Sequence, residues 1–294
     1  MAVGIAGSEE RLHHEPTVVH YSEPISPLLY YDPAVEKILF CAEKGIPLIN
    51  YPAPQGGSTA PSTFAAEIVQ GSAESLSGLV LAQLVRPGTP FIYGAFATIM
   101  DMKTTIFSYG APEMSLMVAA MAQLAQHYRL PFFGTAGCSD SKVPDAQAAA
   151  EAAFSCLSSA LSGANLVHDA GWLDHGSVAS PAYIVLVHEV LHMVKQFMGG
   201  VPLSDETLAL DLIDRIGPGG HYLQEDHTLK HFRNVWYSKL FDRSIYARSA
   251  DLPGGARGFE ERLREQTLKT MEHHPAPLPP DVARELEEMA RHWQ

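Results

Sequence analysis

Polar and titratable residues in this chain gather where short apolar runs stop, and that pattern limits the fold more than any single motif does. Residues 131–171 (PFFGTAGCSDSKVPDAQAAAEAAFSCLSSALSGANLVHDAG) show it whole. The apolar run Pro131–Thr135, of strand length, ends in a Gly-rich loop carrying Asp140, Lys142, Asp145 and Gln147. An Ala-rich helix follows, and a second apolar run, Ala164–Val167, stops at the pair His168-Asp169. This strand–loop–helix–strand unit belongs to parallel α/β proteins, which keep their chemistry at the carboxyl ends of strands.

The unit recurs. Thr17–Tyr21, Ile46–Tyr51 and Pro90–Tyr93 read as three earlier strands, each followed by a loop and a helical pattern (about Ala34–Glu43, Phe64–Leu84 and Pro112–Tyr128). A helix over Pro181–Met198 closes the series. Alternation of this kind implies parallel βαβ crossovers. After residue 200 only helices are expected: Ser204–Ile216, Thr228–Leu240, Gly258–His273 and Asp281–His292, the last capped by Asp281 behind a Pro-rich turn. Five strands do not close a (β/α) barrel, which needs eight. Two explanations stay open: an open doubly wound sheet, or a barrel whose first strands are not in this sequence. No GxGxxG or GxxxxGK[ST] pattern follows any strand, which weakens the nucleotide-binding form of the open sheet.

Composition excludes other classes. A hydrophobic fraction of 46% with 18% charged residues over 294 positions is that of a well-buried enzyme. The net charge of −13 argues against nucleic acid or an anionic membrane as partner. The most apolar run, Gly78–Val85, is broken by Gln83 and bounded by Arg86, so no membrane span is expected. The first residues lack the order of a secretory signal, and three cysteines without paired spacing fit a reduced, cytoplasmic protein.

Eight segments carry a resemblance to one family. They are IAGSEERLHHEP (5–16), YSEPISPL (21–28), GGSTAPST (56–63), QLVRPGTPFIYG (83–94), MDMKTTIFSYGAPE (100–113), DSKVPDAQAAAEA (140–152), LVHDAGWLDHG (166–176) and IGPGGHYLQEDHTLKHFR (216–233). In this order they are similar to the trimethylamine methyltransferase (MttB) family. The resemblance implies a TIM barrel, here its C-terminal portion over residues 1–200, with a helical C-terminal extension over 201–294 packed on it. It implies an N-terminal part not written in this sequence. It also implies methyl transfer from a methylated amine to the cobalt of a corrinoid protein. The corrinoid would come with that partner, with no cofactor bound directly, and self-association into a homo-oligomer stays open. Trimethylamine enzymes of the family carry pyrrolysine. None is written here, so a quaternary amine is expected, glycine betaine first.

Such chemistry needs a site that holds a cation, excludes water and aims one methyl group. Aromatic faces hold such a cation at about 0.5–2 kcal/mol each, with help from carboxylates. Tyr21, Tyr51, Tyr93, Phe96 and Trp172 stand near strand ends, with Glu23, Asp101, Asp140 and Asp169 as acids. Any one of these rings has packing as its plain alternative. His168 beside Asp169 is the leading catalytic residue, placed to meet a substrate carboxylate or to act as acid and base, a structural histidine being its alternative. Lys142 and Gln147 are expected at the site's mouth, where Asp145 and Gln147 have helix capping as the competing role and Glu151 either extends the polar edge or faces solvent. His227 and Arg233 are expected at the rim toward the partner, or on a solvated basic face. Cys138 has no adjacent histidine to activate it and reads as inert.

Residues 188–192 spell HEVLH, a literal HExxH, which opens a zinc peptidase alternative. The two histidines share a helix side with Lys195 and Gln196, and no strong third ligand follows, although Glu206 and Asp211 lie downstream. No metal ligand is assigned. A further alternative is a non-catalytic subunit that completes a barrel with another polypeptide.

Overall fold

The computed structural model describes residues 2–245 and 257–292, a mixed α/β arrangement rich in helix. Five short parallel strands form its spine: β1 (His20–Ser22), β2 (Leu48–Asn50), β3 (Phe91–Ile92), β4 (Phe133–Thr135) and β5 (Leu166–His168). They lie side by side in chain order, with His20 opposite Leu48, Leu48 opposite Phe91 and Phe133 opposite Leu166. One bridge, Tyr93 to Phe132, joins β3 to β4. There the Tyr93 amide donates to the Pro131 carbonyl (2.9 Å) and the Phe133 amide to the Tyr93 carbonyl (2.8 Å). Each expected strand is present, and each is shorter than its apolar run.

Strand order never reverses, so the doubly wound alternative fails: that fold needs a switch point. Nor does a barrel close among the described residues, where β1 and β5 have one neighbour each.

The connecting helices are α1 (Asp32–Lys44), α2 (Phe64–Val85), α3 (Pro112–Tyr128), α4 (Ala146–Leu161) and α5 (Pro181–Met198). Each packs on the one before it. Right-handed crossovers between strands in this order place their helices along one face of the sheet. Proline at N1 or N2 starts α1, α3 and α5, where a missing N–H is harmless. Asp145 caps α4 by accepting the Ala148 amide at 3.0 Å, and Ser180 caps α5 through Tyr183. The helix-facing side of the sheet is dry: Leu48, Tyr93 and Phe132 pack with Ile38, Met117 and Met121. A second cluster joins α4 and α5 to Leu173, Leu240 and Leu263.

Helix α2 corrects one expectation, since by length and composition it is long and apolar enough to cross a membrane. Its buried residues, however, include Glu67, Ser72, Glu74 and Ser75. Glu74 accepts Ser26 Oγ (2.7 Å), the Leu28 amide (2.8 Å) and Gln70 Nε2 (3.0 Å), tying the loop after β1 to the helix.

The tail departs from expectation in three places. Ser204–Ile216 is two helices, Asp205–Leu208 and Leu210–Ile216, broken at Ala209 with φ of 49°. The helix expected over Thr228–Leu240 ends early, as Asp226–His231 and one 3₁₀ turn at Phe232–Asn234. Beyond it, Glu189 on α5 pulls the chain out of helical form by accepting the Ser238 hydroxyl and the Lys239 amide. Pro280 rather than Asp281 opens the last helix, Pro280–His292, so Asp281 sits in its first turn.

Candidate functional site

Side chains on a strand alternate between faces, so register decides which aromatic residues meet. Tyr21 pairs with Ile49, and Thr135 with His168. That parity sends Tyr21, Tyr51, Phe133, Thr135 and His168 to the face away from the helices. Tyr93 falls on the other parity, and its expectation is corrected. Its hydroxyl bonds Ser72 on α2, its ring packs against Tyr128 and Phe132, and burial pushes its phenol up to about 12.

On the open face, His168 stacks on Phe133 at 4.3 Å with an interplanar angle of 15°. Tyr51 meets His168 edge-on at 5.1 Å, and Tyr21 lies 6.2 Å from it. Tyr21 also lies 5.7 Å from Tyr51 and 5.9 Å from Phe133. The result is a cluster of four rings from four strands. Tyr21 is 38% exposed and Tyr51 fully buried, so the cluster opens to solvent on the Tyr21 side. Tyr21 donates to Glu23 Oε1 at 2.7 Å. Burial, and then that carboxylate, push the Tyr21 phenol well above its ordinary range.

A hydrogen-bonded line runs beneath the rings. Tyr51 Oη lies 2.8 Å from Thr135 Oγ1, which lies 2.8 Å from His168 Nε2. His168 Nδ1 lies 2.9 Å from Asp169 Oδ1, and Tyr109 Oη donates to Asp169 Oδ2 at 3.0 Å. Asp169 holds φ at 72°, a left-handed conformation rare for a residue with a side chain, which turns its carboxylate back onto His168. Both nitrogens of His168 are therefore engaged by protein. The expected role as substrate-carboxylate contact or free acid–base group is not available without breaking one of these bonds.

Tyr109 separates this cluster from a second one. Asp140 Oδ1 accepts the Tyr109 amide (2.8 Å) and faces His175 Nδ1 (3.0 Å), while its Oδ2 accepts Ser108. Asp140 thus stands across Tyr109 from His168, not beside it. Around it opens a cleft of about 720 Å³ walled by Asp101, Phe107, Asp140, Lys142, Asp174 and His175. Asp101 is consumed by its own hairpin turn, accepting the Lys103 amide and Thr104 Oγ1; those bonds hold its carboxyl below the usual range. Lys142 Nζ reaches the Asp140 carbonyl (2.6 Å) and Asp174 (3.5 Å) at the cleft's mouth. Gln147 donates to Glu151 Oε1 at 2.8 Å, and Glu151 in turn accepts Ser139 and the Asp140 amide, fixing the loop.

The remaining expected residues lie apart. Phe96 packs on Tyr109 at 4.6 Å, behind the wall. Trp172 sits 40% exposed in a hairpin (Trp172–Leu173 with Val178–Ala179), and no ring contact is seen for it among the described residues. His227 stacks near His231 (4.5 Å) and lines a separate pocket with Asp205 and Glu206, while Arg233 lies over Phe232. Cys138 is buried, and that burial together with Asp169 pushes its thiol up, in line with an inert residue.

The HExxH motif does not assemble a peptidase. His188 and His192 are exposed with Nε2 atoms 3.2 Å apart. Glu189, which would be the base, points the other way, is 5% exposed, and holds Ser238 and Lys239.

Thr135, Phe133, Ser108 and His175 belong to these clusters and were not singled out from sequence. Thr135 and Phe133 lie inside an apolar run and read as core. His175 meets Asp140 across 35 positions of sequence, a pairing that spacing does not reveal.

Five parallel strands in chain order, with helices between them and an aromatic, carboxylate-flanked cluster on the open face, define the class as a parallel α/β protein. The family model for trimethylamine methyltransferase (MTTB) matches residues 1–293, and the chain belongs to that family. It is 39% identical to the trimethylamine methyltransferase MttB of Desulfitobacterium hafniense (strain DSM 10664 / DCB-2), covering 97% of this chain and 58% of that protein. It is 33% identical to the MttB of Methanosarcina thermophila, covering 96% of this chain and 58% of that protein. With the glycine betaine methyltransferase of Desulfitobacterium hafniense (strain Y51) it shares 34% identity over 84% of this chain and 52% of the relative. The chain therefore spans less than three-fifths of the length of these relatives.

Proposed function

We propose that this chain forms part of a methyltransferase that takes one methyl group from a methylated amine, a quaternary amine such as glycine betaine before a tertiary one, and delivers it to the cobalt of a corrinoid protein. The observation that carries the reading is the ring cluster Tyr21, Tyr51, Phe133 and His168, with Glu23 and Asp169 beside it. Ring faces with flanking carboxylates suit a trimethylated nitrogen, which has no N–H to donate and spreads its charge over methyl groups. The engaged nitrogens of His168 support a fully methylated nitrogen over one that needs a proton exchanged.

The acceptor corrinoid supplies the nucleophile for the carbon–nitrogen bond. This chain's residues supply the rest: Tyr21 and His168 hold the cation, Glu23 and Asp169 balance its charge, and the buried Tyr51 with the half-buried Phe133 keeps the floor dry. Sequential parallel strands with helices along one face support a (β/α)-barrel portion over residues 1–200, with the helical extension from 201 onward packed on it. Lys142 and Gln147 then stand at the mouth, and His227 and Arg233 at a rim open to the corrinoid partner. The single-neighboured strands β1 and β5 favour a second reading, a subunit that becomes active when another polypeptide completes the sheet.

The test is methyl transfer to cob(I)alamin, followed by methylcobalamin absorbance, with the chain alone and with the polypeptide that completes the barrel. Glycine betaine or another quaternary amine is expected to serve as donor, and Tyr21→Ala to lower the rate at least tenfold. No transfer from any methylated amine in the completed protein would sink the proposal.

A further inference from the structure

The hydrogen-bonded line under the ring cluster has a direction, and Tyr51 sets it. Its phenol is fully buried, and Thr135 Oγ1 is its one hydrogen-bond partner among the described residues. A buried O–H must donate, whereas a phenol oxygen loses little by accepting nothing. Tyr51 therefore donates to Thr135. A hydroxyl carries one proton, so Thr135, with its oxygen already accepting, turns that proton to His168 Nε2, 2.8 Å away. Nε2 is then a bare lone pair. The opposite nitrogen, Nδ1, faces Asp169 Oδ1 at 2.9 Å, and a carboxylate only accepts, so the ring's proton sits on Nδ1.

The geometry points to Thr135 as the positioning residue that locks His168 as a neutral Nδ1–H imidazole, so that its ring forms an uncharged wall for a quaternary ammonium ligand. A second proton on Nε2 would make Thr135 Oγ1 accept from both Tyr51 and His168 and leave the Thr135 hydroxyl proton without an acceptor among the described residues. It would also set an imidazolium against the cation. The inference rests on the proposed cationic substrate, but the lock itself does not.

The charged and titratable groups around His168 come from several segments. Asp169 follows it in sequence, Tyr21 and Glu23 come from β1 and its loop, Tyr51 follows β2, and Tyr109 and Cys138 stand behind Asp169. Asp169 and Glu23 favour a charged ring, while burial and the Thr135–Tyr51 arm oppose it. Freeing the Thr135 hydroxyl from Tyr51 should release the ring to protonate.

The experiment combines ¹⁵N NMR of histidine-labelled protein, with His168→Gln for assignment, and calorimetry with tetramethylammonium and glycine betaine between pH 5.5 and 8. Wild type is expected to show a pyrrole-type Nδ1 and a pyridine-type Nε2 at His168, with ammonium affinity nearly flat across the range. Tyr51→Phe leaves the Thr135 hydroxyl free to turn and accept from Nε2–H, and should let His168 take up its second proton at higher pH than wild type and lose ammonium affinity at least threefold on acidification. Thr135→Ser keeps the hydroxyl and should match wild type. The wild-type tautomer is read without either variant, which covers the case of Tyr51→Phe failing to fold. An Nε2–H tautomer in wild type overturns the lock, as does a titration unmoved by Tyr51→Phe. A lock seen by NMR in a protein that binds no ammonium supports the lock and overturns the substrate reading.

Discussion

Glu67 costs the fold stability where it stands. It lies in the first turn of α2, fully buried, with neither carboxyl oxygen well hydrogen-bonded. A Cβ on Gly56 would come within 2.4 Å of its Oε2, so the strand above leaves room for it only because Gly56 has none. Burial pushes its carboxyl up to about 7, against the pull of the Gly56 and Thr98 amides. The folded state thus holds a proton that the unfolded chain releases near pH 4.5, and the protein loses stability as pH rises from there to about 7. The loss is on the order of 2–3 kcal/mol. Glu67→Gln is expected to flatten this part of the curve and to be the more stable form at pH 8, read from urea unfolding at pH 5 and pH 8. At this scale, the sequence exposed residues that end strands: Tyr21, Tyr51, His168 and Asp169 were legible because polar or amphipathic groups interrupt apolar runs. Tyr93 looked equivalent and is not, since one step of register turned it toward Ser72.

Two elements depend on single contacts. The bridge at Tyr93 and Phe132 is all that joins β3 to β4, and Gly94 sits against it, with a Cβ there 2.3 Å from the Phe133 carbonyl. Gly94→Ala is expected to pry the two strands apart and destabilise the protein by about 3 kcal/mol or more, measured by thermal and urea unfolding. Segment 238–241 depends on Glu189. Glu189→Ala removes the acceptor of the Ser238 hydroxyl and the Lys239 amide, for about 1–3 kcal/mol, and should expose the chain near Tyr237 to proteolysis. A zinc peptidase would need Glu189 as its base; here Glu189 is spent on holding this segment. The helices that follow the strands were legible, because caps and apolar spacing are local; the helices Ala2–Ala6 and Glu9–His14 were not read from the sequence. The early end near Asn234 was not, because a carboxylate 50 positions away in sequence decides it.

For the whole molecule, the sheet's ends matter most. Strand β5 exposes Leu166 (43%) and Val167 (46%), and β1 is flanked by exposed Val19 and Ile25. Unpaired edges with apolar side chains associate. The chain is expected to self-associate with rising concentration in sedimentation velocity, and a cooperative monomeric melt would contradict that expectation. Adding a polypeptide that pairs with β1 and β5 should shift it to a defined species.

The sequence by itself determined the repeated strand–helix alternation, the polar strand ends and the family, since each is carried by local spacing or by ordered motifs. Only the tertiary structure decided that the strands run in chain order without reversal. It also decided that Tyr51 and Thr135 engage His168 from behind, and that Asp140 and His175 form a separate cluster beyond Tyr109. These facts depend on register and on contacts across 33 to 84 positions, for which neighbouring residues carry no signal.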